Sequence, residues 1–442
     1  MSQRLKLIPV TISLLAMTAC TATMPVPTVT PTVPVTYATF DPPTRFDTSS
    51  TVHLREVDTA SRGMMSGYTF YTMTDSAIIW GVDVRAGKST MSASLTGREA
   101  DESDAWRCWQ QTADDKYLYT IAANYGGDPS QPVPVQLTTV DKASGNIVWQ
   151  YSPPTQVGPM GTECDVAISY TITATDAGLL INMWQAVGTG NSFSAMLDPA
   201  AGDVRWQSDT SVVATDQAKF GLSLTMAPIS IPPGSKDPGV RYTAQPVDLA
   251  TGTVGKPLSL TGKKGTTYAG WFQLVGRSGD NLILIGHDPA DAANADQYQK
   301  TTSTIYAVSA STGQAAAKPL ATAASDALSV CSIGAADRLV CLMSDDDTTV
   351  SGVSLTDGST VWQHHYAGAD VQALLQPLLF HGYLYGQDPT SGDNYVLDVE
   401  NGNVVQSGQG PAPIAVNETG MVFMLADKGD ANWQCLWAPA VG

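Results

Sequence analysis

The residues of this chain with the most specific chemistry are its five histidines and six cysteines. A zinc site gathers three or four His, Cys or acidic ligands, and its sequence signature is two ligands a few residues apart. None of His53, His287, His364, His365 and His381 falls in such a motif. His364 and His365 are adjacent, but neighbours along a strand point to opposite faces, so the pair does not chelate. Asp345-Asp346-Asp347 lacks the alternating oxygen ligands and closing Glu of a calcium loop and reads as a solvated turn. There is no Gly-x-Ser-x-Gly elbow and no phosphate-cradling loop. We therefore assign no catalytic residues, no metal ligands and no cofactor from these motifs.

Cys331 and Cys341 stand three residues either side of a turn, Gly334 to Arg338. That symmetry places them opposite each other on paired strands, as a disulfide or as two buried thiols. The element required is a tight hairpin, and the rest of the chain supplies many. Turn residues punctuate it every 8 to 12 positions and helical periodicity is almost absent.

At about 150 residues per domain, 442 residues would suggest three domains. Hydrophobic residues make up 43% and charged residues 14%, enough for a large core and too little charge for a disordered chain. The net charge of −18 argues against nucleic acid, whose phosphates need a basic footprint, and against electrostatic docking on anionic lipid.

The N-terminus carries an address. Arg4 and Lys6 precede an apolar stretch, residues 7–17, that is too short to span a bilayer, and Met17-Thr18-Ala19 leads into Cys20. The segment resembles a bacterial lipoprotein signal, with Met17 where Leu is usual, and the resemblance implies that Cys20 becomes the lipidated N-terminus. Residues 21–39 are almost wholly Thr, Pro, Val and Ala, which stay extended and unpacked. We expect a signal peptide over 1–19, a lipid anchor and tether over 20–45, and a folded body over 46–442 on the extracytoplasmic side of the bacterial cell membrane.

The body is a repeat. An apolar residue, Asp or Ser, three variable residues and Gly recur, ending at Gly87, Gly145, Gly202, Gly252, Gly313, Gly358 and Gly402. Asp or Ser can bond the backbone of a turn, and Gly takes the positive φ that a tight corner requires. Trp149, Trp206 and Trp362 follow four residues after three of the glycines; the other copies have Met91, Lys256, Ala317 and Gln406 there. Four short antiparallel strands per 45 to 60 residues is the pattern of a β-propeller blade. Three C-terminal strands (413–418, 421–426, 433–438) and one orphan N-terminal strand (51–57) complete an eighth blade and close the ring. Seven blades, with the terminal strands as caps, is the alternative.

The corner at residues 140–149 and its copies at 197–206 and 353–362 resemble the repeat of the pyrroloquinoline-quinone-type β-propellers. That family includes quinoprotein alcohol dehydrogenases and non-catalytic envelope lipoproteins. The resemblance implies that the repeat tryptophans dock between blades. A quinone enzyme of this family would need adjacent cysteines above a tryptophan floor, and a haem-bearing one Cys-x-x-Cys-His; both are missing here. Trp109 and Trp271 read as core residues. Cys108 and Cys164, one repeat apart near the inner strands of neighbouring blades, form a second candidate disulfide, which leaves Cys435 over.

In a propeller the Gly corners lie on one rim and the connections between second and third strands on the other. Here the latter are the long, variable ones, and such loops usually carry function on a rigid scaffold. We expect a monomeric, membrane-anchored scaffold that binds a protein or cell-envelope partner. The alternative is an enzyme using the central channel on a sugar, alcohol or polymer.

Overall fold

Alternation of apolar and polar residues between Gly-marked turns folds the chain into short antiparallel strands, and these assemble into eight sheets. The structure is a computed structural model. It describes residues 37–57, 63–74, 77–95, 106–124, 135–154, 168–185, 192–228, 240–258, 271–288, 302–316, 319–324, 330–335, 337–344, 347–367, 378–387, 393–409, 413–426 and 433–442.

Blades 1 to 7 span residues 64–94, 106–151, 168–208, 211–248, 271–324, 330–367 and 378–409. Blade 8 is made from both ends of the body: Pro413–Asn417, Gly420–Ala426 and Trp433–Pro439, with Val52–His53 as its outer strand. Val52 pairs with Trp437 and His53 with Leu436. The fold is thus an eight-bladed β-propeller closed by its N-terminal strand, which excludes the seven-bladed alternative. Among the described residues no helix is long and apolar enough to cross a membrane.

Two local features differ from the sequence reading. The closing strand is two residues long instead of seven, because Arg55–Val57 turns into a short 3-10 helix. That turn buries Leu54 and Val57 completely, and the Leu54 amide donates to the Cys435 carbonyl at 2.8 Å. Blade 4 has three regular strands, its fourth position reduced to a bridge between Val247 and Val254. The cause lies in two prolines: Pro246 accepts from the Gly255 amide, but neither it nor Pro257 has an N–H to continue the ladder.

The core sits between blades. Ile121 and Leu137 of blade 2 pack with Ile181 and Phe193 of blade 3; Phe70 and Val82 of blade 1 pack with Val422 and Trp437 of blade 8. Burying one such side chain stabilises the fold by about 1.5–3 kcal/mol. Ring closure therefore rests on interblade packing as much as on the short ladder.

Candidate functional site

All seven corners share one construction. The glycine amide donates to the carbonyl four residues back at 2.8–2.9 Å, and the glycine φ lies between +61° and +75°. The Asp side chain turns into the loop: Asp141 Oδ1 accepts from the amides of Ala143 and Ser144, Asp198 Oδ1 from those of Ala200 and Ala201. In blade 5, where Ser309 stands in the Asp position, Asp280 from the first turn supplies the carboxylate. It accepts from the hydroxyls of Ser309 and Ser311 at 2.8 Å each.

Donors of this kind favour the ionised carboxylate. The Ser144 amide and hydroxyl hold Asp141 below the usual carboxylate range; the Arg205 guanidinium and two amides do so for Asp198, and Ser309 and Ser311 for Asp280. These acids serve the turns, which gives much of the negative charge on this rim a structural role.

The corners also join neighbouring blades. Trp149 Nε1 donates to the Pro199 carbonyl at 3.0 Å, Trp206 Nε1 to Leu249 at 2.7 Å and Trp362 Nε1 to Val399 at 2.7 Å. Each acceptor directly follows the corner Asp of the next blade. Each indole also lies against that corner's glycine: Gly202, Gly252 and Gly402. Met91 occupies the same place against Gly145, and Val52 with the His53 carbonyl against Gly87. Against Gly313 the partners are Pro246 and Phe220, because blade 4 lacks a regular outer strand. Ala317 lies outside the described residues.

Blade 8 has no such corner, since its outer strand comes from the other end of the body. A strap, residues 37–47, covers that gap. The compact unit begins at Thr36, so the part of the strap expected to be tether packs on the propeller instead. The Phe40 amide donates to Glu418, those of Thr44 and Arg45 to Gly442, and that of Asp47 to Pro439. Phe46 sits against Tyr385 of blade 7, whose hydroxyl donates to the Pro43 carbonyl at 2.7 Å. Tyr37 meets Trp437 edge-on and accepts from the Tyr68 hydroxyl, while Asp41 pairs with His381. The strap crosses blades 7, 8 and 1 on the corner rim.

Beside the strap, the inner strands of these blades line an open groove of about 450 Å³. Met64, Met65, Leu378 and Phe380 form apolar walls, Gly67 leaves open space, and Glu418 lines one side. The Asn417 amide donates to the Gly67 carbonyl at 2.7 Å and fixes blade 8 to blade 1 there. No hydrogen bond or ion pair among the described residues engages the Glu418 carboxylate.

The remaining sequence candidates sit as follows. A disulfide joins Cys331 and Cys341, register partners in blade 6 with Cα atoms 4.1 Å apart. Cys108 lies in the inner strand Trp106–Ala113, but its side chain and all of Cys164 lie outside the described residues, as do Asp345 and Asp346. Cys435 is buried and forms no disulfide. His364 donates through Nε2 to the Gly402 carbonyl, and His365 Nδ1 lies 2.9 Å from the Thr349 hydroxyl. Trp109 is buried between blades 1 and 2, and Trp271 opens the inner strand of blade 5. Among the described residues no three His, Cys, Asp or Glu side chains are grouped to hold a metal.

No family model matches the chain, and no curated protein matches it. Solved structures do. The C-terminal WD40 domain of Sif2 is similar at 10% identity over 90% of this chain and 99% of that one, with a TM-score of 0.52. The Dos1 propeller is similar at 9% identity over 90% and 95%, with a TM-score of 0.50. BamB from Moraxella catarrhalis matches at 14% identity over 89% and 100%, with a TM-score of 0.45. The likeness is one of fold. A β-propeller is what the Sif2 and Dos1 structures show, and identities this low leave activity to be argued from this chain's own residues.

The strap and the cavity escaped the sequence reading. Proline-rich composition concealed the strap's anchoring residues Tyr37, Asp41 and Phe46. The cavity joins blade 1 to blades 7 and 8 at the other end of the chain, and no local motif marks it.

Proposed function

We propose that this protein is a lipid-anchored extracytoplasmic scaffold of the pyrroloquinoline-quinone-like propeller type, which binds a protein or cell-envelope partner without catalysing a reaction. The observation that carries the reading is the strap's position on the corner rim. The chain enters the propeller on that rim, away from the opposite rim and its long connections, which we take as the face for a partner. Three further features support it. Cys20 sits in a lipoprotein-like signal. The Cys331–Cys341 disulfide suits an oxidising compartment. The corner acids are engaged in turn bonds instead of being free for acid–base work.

The test is Cys20→Ser with fatty-acid labelling and fractionation. Two buried acyl chains give stable attachment at about 0.8 kcal/mol per CH₂. The wild type should take the label and sediment with membranes, and the variant should do neither. An unlabelled wild type whose variant stays with the membrane would overturn the anchor. Turnover of an envelope substrate by the purified protein, with no partner recovered from crosslinked envelopes, would overturn the scaffold.

A further inference from the structure

We propose that the cavity at the channel mouth binds a small organic cation, an ammonium group carried on an apolar body. Its volume of about 450 Å³ falls within the range of small-molecule pockets, roughly 300–1,000 Å³. Two thioethers, Leu378 and Phe380 supply apolar walls for the ligand body. The ring of Phe380 is held in place by stacking on His381, with centroids 4.1 Å apart. Glu418 is the one charged side chain in the lining, and it has no partner among the described residues. A carboxylate beside apolar walls favours a cation over an anion or a neutral ligand of the same shape. The net charge of −18 raises the local concentration of cations around the whole molecule.

The site is rigid at its base. Asn417, next to Glu418, bridges blades 8 and 1 through its bond to Gly67, and the Phe40 amide holds the Glu418 carbonyl at 2.9 Å. The lining is therefore preorganised, which limits the ordering that binding would otherwise demand.

The experiment is calorimetric titration of the full-length protein with 2-phenylethylamine and, separately, with its neutral counterpart 2-phenylethanol. The amine should bind saturably and at least about tenfold more tightly than the alcohol. Glu418→Gln is isosteric and leaves the Phe40–Glu418 backbone bond intact; it should abolish the preference for the amine. Leu378→Trp, which fills the cavity, should weaken both ligands. The proposal is overturned if the wild type does not bind the amine saturably, or if Glu418→Gln keeps the wild type's preference for the amine over the alcohol.

Discussion

The indole of Trp149 rests on the corner of the next blade so closely that a Cβ on Gly202 would lie 2.6 Å from Trp149 Cδ2. Gly202 also has φ +75°, a region that L side chains rarely adopt. Two constraints meet at one residue, one from the turn and one from the neighbour. Gly202→Ala should therefore cost about 2–4 kcal/mol, combining backbone strain with overpacking. Trp149→Ala should cost about 2–3 kcal/mol through lost packing and the lost bond to Pro199. In the double variant the clash vanishes, so the two costs should fall short of additive by about 1 kcal/mol or more. Denaturant melts of the four proteins measure the cycle, and strict additivity would contradict the contact.

The strap makes the N-terminal boundary a sharp one. A chain starting at Thr36 should melt with the full-length protein. One starting at Thr48 loses the Phe46 and Tyr37 contacts and the backbone bonds to Gly442 and Pro439, a loss of roughly 3–5 kcal/mol. One starting at Ala60 also loses Val52–His53, exposes the edge of Trp433–Pro439 and should aggregate. Equal melting of the Thr36 and Thr48 chains would remove the strap from the account.

Stability should fall at both ends of the pH scale. Asp141, Asp198 and Asp280 have folded-state values below the ordinary 3.8, so their contribution is full above that value and is lost as pH falls through the depressed ones. Burial, and then the bond to Asp114, pushes the Tyr119 phenol up from 10.0. Its contribution is present below about pH 10 and is lost as pH rises further. Melting temperature should be flat from about pH 5 to 9 and decline outside that window. Asp141→Asn keeps an acceptor in the turn and should soften the acid limb; an unchanged acid limb would show that the corner carboxylates do not set it.

The Cys331–Cys341 bridge closes a short loop, with a sequence separation of 10. Loop closure of that size corresponds to about 2–3 kcal/mol. Cys331→Ser with Cys341→Ser should lower the melting temperature while leaving the ring closed. Peptide mass analysis without reductant should recover the linked pair, and finding both thiols free would contradict the bridge.

The ring was legible because its signal is local and repeated. The phrase from Asp or Ser to Gly encodes a corner seven times, and counting the strands left at each end yields the eighth blade. Trp149, Trp206 and Trp362 mark a repeating position that Met91 holds after Gly87, but sequence could not say that Val52, from the closing strand, fills the same place against Gly87. Pro246 and Pro257 were visible, yet their effect on blade 4 depends on which strand edge they meet. The strap and the cavity arise from contacts such as Tyr385 with Pro43 and Asn417 with Gly67, separated by about 340 residues or more. Such pairs leave no periodicity to read.

The central claim is that the rim opposite the strap is the partner-binding face. A photo-crosslinking residue placed at Ser192, on that rim, should trap a discrete partner in intact cells. The same residue at Ala143, on the corner rim and exposed, should trap none. Adducts from Ala143 and none from Ser192, or the same adduct from both, would contradict the account.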